Sequence, residues 1–132
     1  MPEQSDAAEL IAALPCEIDL PQNWADYFMR SGPLSPVRED ARRYPRFYLR
    51  TAAALSYRST LPALPRSTKA ERVYLKDISR SSVAFLHSEQ LFPRESLEML
   101  LADGTHWFVT VVRCQRRQER CYEIAALLTA EP

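Results

Sequence analysis

The stretch SLEMLLADGTHWFVTVVRCQRRQERCYEIAALL, residues 96–128, decides the fold class of this 132-residue chain. It contains three short runs rich in Val, Ile, Leu and aromatic residues, which is typical of β-strands. Asp103-Gly104, between the first two runs, is a two-residue signal for a β-hairpin. The runs therefore predict three consecutive antiparallel strands, at 96–102, 106–114 and 120–128.

A second hairpin is expected where Arg117-Gln118 separates the last two of these strands. A turn at this dipeptide would place Cys114 opposite Cys121 across the hairpin. With three cysteines and no CxxC pair, the chain shows neither a disulfide framework nor a zinc site. We expect the two facing cysteines to be free thiols.

Upstream of residue 96 the same strand pattern recurs three times, and residues 59–70 read as a surface loop with two prolines. The three runs lie at 46–58, 71–76 and 82–88, and they are again rich in β-branched and aromatic residues. Six short strands in a chain of this length predict a single mainly β domain, either a small antiparallel barrel or a sandwich.

The region 1–37 differs in pattern, and we predict that it is a short helical N-terminal extension. Asp6 and Glu9 have the spacing of a helix capping box, and apolar residues follow them. Pro15 is expected to end this first helix.

A second short helix is expected at about 23–30. Trp24, Tyr27 and Phe28 would share one aromatic face of that helix, because residues three and four apart are neighbours on a helix. Such a face packs either on its own domain, which is the commoner case, or on a protein partner.

The composition excludes most common enzyme and membrane classes. With only two glycines, the chain lacks a P-loop, a GxGxxG fingerprint and a GxSxG nucleophile elbow. His87 and His106 are isolated in the sequence, so we expect no enzymatic activity, no metal and no cofactor. No run of about 18 apolar residues is present, and the N-terminus lacks the basic residues of a secretory signal. We therefore expect a cytoplasmic protein without a membrane span.

Two polar segments contain groups that suit a guanine nucleotide. ARRYPRFYLR, residues 41–50, holds four arginines in a chain of zero net charge. Guanidinium groups bind phosphate oxygens and the O6/N7 edge of guanine through paired hydrogen bonds. Asp77 and Ser79 lie two apart at the end of a predicted strand, so both side chains would point to the same side. A carboxylate there matches the N1–H and N2–H2 donors of guanine.

Each segment also has a simpler interpretation. Asp77 and Ser79 could merely cap a turn through side-chain to backbone hydrogen bonds. The arginines could bind single-stranded nucleic acid, with Tyr44, Phe47 and Tyr48 stacking on bases. The zero net charge disfavours nucleic-acid binding, and we expect none.

Together the two segments resemble the PilZ domain family, which carries an RxxxR motif and, further along, a [D/N]xSxxG motif. Arg42-Arg43-Tyr44-Pro45-Arg46 matches the first motif, and Asp77-Ile78-Ser79-Arg80-Ser81-Ser82 matches most of the second. The resemblance covers residues 38–128. It implies a six-stranded antiparallel PilZ-like β-barrel in a domain of residues 38–132, with 38–46 as a linker that carries RxxxR.

Many PilZ domains are receptors for the bacterial second messenger cyclic di-GMP, so the resemblance implies a bacterial cytoplasmic regulatory protein with this ligand. The ligand-binding residues that it implies are Arg42, Arg43, Arg46, Asp77, Ser79 and Ser82. On binding, we expect the linker and the N-terminal extension to change their arrangement and to signal to a downstream protein partner.

The chain departs from the family pattern at two positions. Ser82 stands where the second motif has glycine, and Arg94 stands in Pro93-Arg94-Glu95 where Pro-Gly-Glu is typical. If the glycine serves a positive φ or a close approach of the base, serine strains the turn or crowds guanine. The departures therefore suggest an alternative, a PilZ-like protein-interaction adaptor that has lost or weakened nucleotide binding.

Overall fold

The computed structural model describes residues 4–32, 46–63 and 65–129, and its main feature is a closed β-barrel. The seven strands within these ranges are β1 (Phe47–Tyr48), β2 (Ala52–Ser59), β3 (Glu71–Ile78), β4 (Ser82–His87), β5 (Ser96–Leu101), β6 (His106–Gln118) and β7 (Cys121–Thr129). They pair antiparallel in the order β1-β3-β2-β5-β6-β7-β4, and β3 also pairs with β4. That last pairing closes β2 to β7 into a six-stranded barrel with β1 as an extra strand. The predicted mainly β, six-stranded antiparallel architecture is confirmed.

Apolar side chains from all six barrel strands fill the interior. Along β5, for example, burial alternates strictly, so that Leu97, Met99 and Leu101 point inward. Because successive side chains of a strand point to opposite faces, residues between these inward positions lie on the outer surface. This alternation makes it possible to assign a face to each polar residue discussed below.

The N-terminal helix α1 (Gln4–Ala13) packs on the outside of the barrel. It buries Ala7 and Ile11, and the chain beyond it is tied to β3 by a hydrogen bond from the backbone N–H of Arg72 to the Pro15 carbonyl, 2.9 Å long. The predicted capping box is wrong, because the helix begins two residues before Asp6. Asp6 lies instead in the first turn, where its negative charge suits the helix dipole.

The second predicted helix is replaced by two 3₁₀ turns, Gln22–Trp24 and Tyr27–Met29. Tyr27 is buried against the barrel, and its ring lies 6.0 Å from that of Trp24 and 6.3 Å from that of Tyr74 on β3. The aromatic face therefore packs on its own domain; even Phe28, which is half exposed, lies edge-on to the ring of Tyr74 at 4.9 Å. The predicted boundary between residues 37 and 38 lies outside the described residues.

The first predicted strand, 46–58, is divided into β1 and β2 by a break at 49–51. At the break, the backbone N–H of Leu49 and the side chain of Arg50 both donate to the carbonyl oxygen of Lys76. Residues 49–51 thus interrupt the strand, because Leu49 and Arg50 bond to β3 through the single carbonyl of Lys76 and not through a regular ladder.

The β6–β7 hairpin turns two residues later than predicted, at 119–120, where Arg120 adopts a φ of 57°. Cys121 therefore pairs with Gln118, and Cys114 pairs with Ile124. The prediction that Cys114 faces Cys121 is wrong, because the later turn shifts the register. All three cysteines are free thiols. No helix in the described part of the chain is long and apolar enough to cross a membrane.

Candidate functional site

Ser79 and Ser82 together form the turn between β3 and β4. The Ser79 hydroxyl oxygen accepts a hydrogen bond from the backbone N–H of Ser82 at 3.2 Å and lies 2.9 Å from the Ser82 hydroxyl. The backbone N–H of Ser79 donates in turn to the Ser82 carbonyl at 2.8 Å. Ser79 therefore has the turn-forming role that its position in the sequence allowed.

Ser82 adopts a backbone conformation that does not need glycine. Within the described part of the chain, the non-glycine residues with positive φ are Arg94, at 80°, and Arg120. The replacement of the motif glycine by Ser82 thus causes no backbone strain, whereas the replacement at Arg94 does. Of the two ways in which Ser82 was expected to weaken nucleotide binding, strain of the turn and crowding of guanine, strain of the turn therefore does not apply.

Asp77 lies on the outer face of the barrel because of a β-bulge at Lys76. Leu75 pairs with Phe85 of β4, but the next pair is Asp77 with Ala84, so that Lys76 is an extra residue on β3. Phe85 belongs to the barrel core, and therefore Ala84 and its partner Asp77 face outward. Without the extra residue, Asp77 would point into the core along with Leu75.

The carboxylate of Asp77 is surrounded by cations although only 2% of the residue is exposed. Arg46 Nη1 donates to Oδ1 at 3.4 Å, and Lys76 Nζ donates to Oδ2 at 3.3 Å. Lys76 Nζ also lies 3.6 Å from Glu123 Oε2 on β7. The structure thus brings together two of the predicted site residues, Arg46 and Asp77, which are 31 positions apart in the sequence. Arg42 and Arg43 lie outside the described residues.

A row of side chains crosses the outer face of the barrel from Asp77. The backbone pairings run from Tyr48 to Asp77, then to Ala84 and Ala125, and end at the exposed Arg113 on β6. Three strand spacings separate Asp77 from Arg113, which is about 14 Å measured along the curved wall of the barrel. The row therefore has a carboxylate and cations at one end, two methyl groups in the middle and a guanidinium at the other end.

Arg50 is a residue whose structural role the sequence did not indicate. Its guanidinium carbon lies 4.2 Å from the ring centre of Tyr27 and 4.9 Å from that of Tyr48. Its Nε donates to the Lys76 carbonyl at 2.9 Å, and its Nη1 donates to the Tyr27 carbonyl at 3.3 Å. The sequence contained only a weak signal for this contact, the presence of an aromatic cluster and an arginine-rich segment in one small domain.

A second polar cluster lies at the opposite end of the barrel. Among the described residues, Glu71, His87 and Glu89 bring ligand atoms within 4.8 Å of one another, the spacing of a candidate cation site. The backbone N–H of Glu89, however, donates to His87 Nδ1 at 3.2 Å, which places the proton of the neutral ring on Nε2. His87 Nε2 lies 3.0 Å from the Tyr57 hydroxyl, so the atom that would have to bind a cation is used as a donor.

The electrostatics of this cluster also disfavour a bound cation. Arg66 forms a two-pronged ion pair with the fully buried Glu95, and its Nη1 lies 3.8 Å from Glu89. Burial and the nearby charge of Arg66 together lower the pKa of His87 to about 4, so the ring is neutral; the positive charge of Arg66, and not this neutrality, disfavours a cation. We therefore interpret the hydrogen bonds and ion pairs around the neutral His87 as a structural network and not as a cation site.

Comparison with protein-family models, with curated proteins and with solved structures finds no match to the chain. The outer-face row is accordingly interpreted from its own geometry. It joins a buried carboxylate, arginines at both ends and two alanines between them, and these groups suit a hydrogen-bonding, negatively charged molecule.

Proposed function

We propose that the chain is a receptor for cyclic di-GMP without enzymatic activity, and that the ligand binds on the outer face of the barrel from Asp77 towards Arg113. The observation that carries this proposal is the meeting of Arg46 and Asp77 on that face. The proposed ligand-binding residues are Arg42, Arg43, Arg46, Asp77, Ser79 and Ser82.

The carboxylate of Asp77 is suited to recognise the Watson–Crick edge of guanine. It accepts hydrogen bonds of 3.3 and 3.4 Å, which are long compared with the roughly 2.7–2.9 Å of strong charge-assisted bonds. The N1–H and N2–H2 groups of guanine can replace the contact with Arg46. Arg46 is then released to bind a phosphate of the same ligand, together with Arg42 and Arg43.

The middle of the row is suited to the flat face of the base. Ala84 and Ala125 present methyl groups on adjacent strands, which are about 5 Å apart. Ala84 is 4% exposed whereas Ala125 is partly exposed, so a purine would make its apolar contact chiefly with Ala125. Arg113, at the far end, can stack on a base or pair with a phosphate.

Ser82 is compatible with this arrangement although it replaces the motif glycine. Its hydroxyl lies 2.9 Å from the Ser79 hydroxyl, and this hydrogen bond holds the side chain in the turn. Because the added hydroxymethyl group still occupies space near the base, we expect affinity to be reduced relative to a glycine at this position. We do not expect binding to be abolished.

Binding would change the segment that joins the N-terminal extension to the barrel. The backbone N–H of Tyr48 donates to the Gly32 carbonyl at 2.8 Å, so the two ends of this segment are already tied together. Phosphates that draw Arg42 and Arg43 to the barrel would rearrange the linker between these fixed ends. Such a rearrangement is the signal that a downstream protein partner could read.

Titration calorimetry with cyclic di-GMP tests the proposal. We expect heat with one or two ligands per chain. Arg46→Ala should lose at least about tenfold in affinity, because the charge-assisted pair between Arg46 and a ligand phosphate is removed. Asp77→Asn should lose about tenfold as well, since it replaces one carboxylate acceptor by a donor facing guanine. Cyclic di-AMP should give no heat, because adenine lacks the donors that match Asp77.

Arg58→Ala is the matched control. Arg58 also forms a single ion pair with a carboxylate, 3.1 Å from Glu98 Oε2, but it lies away from the row. Its removal should leave the affinity within about twofold of the parent. A folded parent protein that gives no heat at several hundred micromolar ligand would sink the proposal.

A protein-interaction adaptor is a second candidate, and one observation favours it. Phe28 and Met29 in the second 3₁₀ turn are 48% and 84% exposed, although Tyr27 between Trp24 and Phe28 is buried. Exposed apolar side chains on a fixed turn can serve as a docking point for a protein. This candidate requires that partner binding is equal with and without cyclic di-GMP, whereas the receptor requires a difference.

A further inference from the structure

We propose that Tyr27 and Arg50 are positioning residues that hold the bulge at Lys76 and thereby present Asp77 on the outer face of the barrel. This inference rests on the proposed function of Asp77. It makes the N-terminal extension a structural part of the binding site, since Tyr27 belongs to that extension.

The two residues bond to successive carbonyl groups at the bulge. The Tyr27 hydroxyl donates to the carbonyl of Leu75 at 2.6 Å, and Arg50 Nε donates to the carbonyl of Lys76 at 2.9 Å. A bulge disrupts the strand ladder locally and leaves its extra residue unpaired in the ladder. Here donors from outside the β3–β4 pair satisfy the carbonyls of the bulge and of the residue before it, so the bulged conformation is favoured.

Tyr27 and Arg50 also support each other. The guanidinium of Arg50 lies between the rings of Tyr27 and Tyr48 and donates to the Tyr27 carbonyl. Burial raises the pKa of the Tyr27 phenol, so the hydroxyl keeps its proton and remains a donor. The pair thus acts as one rigid support that connects the 3₁₀ turn, the break after β1 and the bulge.

The side of the sheet on which Asp77 lies depends on this support. In a strand, a shift of one residue moves a side chain to the opposite face. Loss of the bulge would direct Asp77 towards the barrel core, where a carboxylate is costly, and the strand end would rearrange to avoid this. The support does not touch the proposed ligand, and its effect on binding must pass through Asp77.

Tyr27→Phe tests the inference with a minimal change, because it removes the hydroxyl and keeps the ring. We expect the Kd for cyclic di-GMP to rise about 5- to 20-fold, since a bulge carbonyl loses its donor. Tyr57→Phe is the control, because it removes another partly buried hydroxyl, near His87 and Glu89 at the other end of the barrel. It should lower the Tm to a similar extent and change the Kd by less than about twofold.

A double variant separates positioning from general destabilisation. In the Asp77→Asn background, Tyr27→Phe should change the Kd by less than about twofold, because the residue that it positions is already impaired. An unchanged Kd for Tyr27→Phe alone, or an equal rise for Tyr57→Phe, would overturn the inference.

Amide hydrogen exchange tests, without any ligand, whether Tyr27 stabilises the bulge at Lys76. Tyr27→Phe should accelerate exchange at residues 75–78 at least about tenfold, and Tyr57→Phe should not. If the parent does not bind cyclic di-GMP but this exchange pattern is found, the proposed function fails while the support of the bulge stands. If exchange at 75–78 is the same in both variants, the support itself is refuted.

Discussion

At the scale of single residues, Arg94 occupies a turn position whose backbone conformation favours glycine. It follows Pro93 in a turn closed by a hydrogen bond from the Glu95 N–H to the Phe92 carbonyl, and its φ is 80°. Proline at the second position and positive φ at the third are features of a type II turn, which favours glycine at the third. A side chain in this conformation costs roughly 1 kcal/mol or more.

Arg94→Gly should therefore raise the free energy of unfolding by about 1 kcal/mol, measured by urea denaturation. Ser82→Gly is the informative comparison, since Ser82 has no positive φ and its hydroxyl contacts Ser79. That variant should lower the free energy of unfolding by about 0.5–1 kcal/mol, through a lost hydrogen bond and a more flexible unfolded chain. A stabilising effect of Ser82→Gly would contradict this account of the turn.

At the scale of elements, the strands could be predicted and the irregularities between them could not. The six barrel strands follow from local runs of apolar and β-branched residues, and the hairpin at Asp103-Gly104 follows from its turn residues. At the bulge, the carbonyls of Leu75 and Lys76 accept hydrogen bonds from Tyr27 and Arg50, which are distant in the sequence. A local pattern contains no information about such partners.

Helix α1 provides a test of how firmly the N-terminal extension belongs to the folded unit. Ile11 is 3% exposed against the barrel, whereas Leu10 beside it is 52% exposed. Ile11→Ala should lower the free energy of unfolding by about 2–4 kcal/mol in a single cooperative transition, because it leaves a cavity between the helix and the sheet. Leu10→Ala should change it by less than about 0.5 kcal/mol.

A separate early transition of the N-terminal region would show that α1 unfolds independently of the barrel. Circular dichroism at a helical wavelength and, in a Trp24→Phe background, the fluorescence of Trp107 on β6 report the two parts separately. Coincidence of the two curves supports one folded unit.

At the scale of the whole molecule, two groups of polar side chains lie at opposite ends of β3. The Arg46–Asp77 pair lies at one end of β3, and the network of Glu71, His87 and Tyr57 lies at the other. The resemblance of two short motifs predicted that Arg46 and Asp77 belong to one site. Nothing in the sequence predicted the network, because its members are isolated in the chain and meet only when the barrel closes.

The network predicts a specific dependence of stability on pH. An unfolded histidine titrates near 6.5, whereas burial lowers the pKa of His87 to about 4, so below pH 6.5 the unfolded chain takes up a proton that the folded chain does not. The free energy of unfolding should fall by up to roughly 3 kcal/mol between pH 6.5 and 4 and level off below. Burial, together with the charge of Glu89, raises the pKa of Glu71 and offsets part of this loss, since its proton uptake favours the folded state.

His87→Gln should flatten this part of the stability curve, measured by urea denaturation at a series of pH values. His106→Gln is the control, because His106 is 47% exposed and lies beside Glu98. It should keep the slope of the parent protein. Identical slopes for the parent and His87→Gln would show that another group controls acid unfolding.

The burial of Cys121 beneath the N-terminal extension gives a way to measure how often the extension separates from the barrel. The residue is fully buried in a cluster with Tyr27 and Leu86, and Ile18, Leu20 and Trp24 pack against this cluster. Burial raises the pKa of its thiol to about 11, so the thiolate needed for alkylation or oxidation is scarce as well as shielded. Cys121 can therefore serve as a built-in labelling probe. The rate at which its thiol is alkylated reports how often the N-terminal extension separates from the barrel.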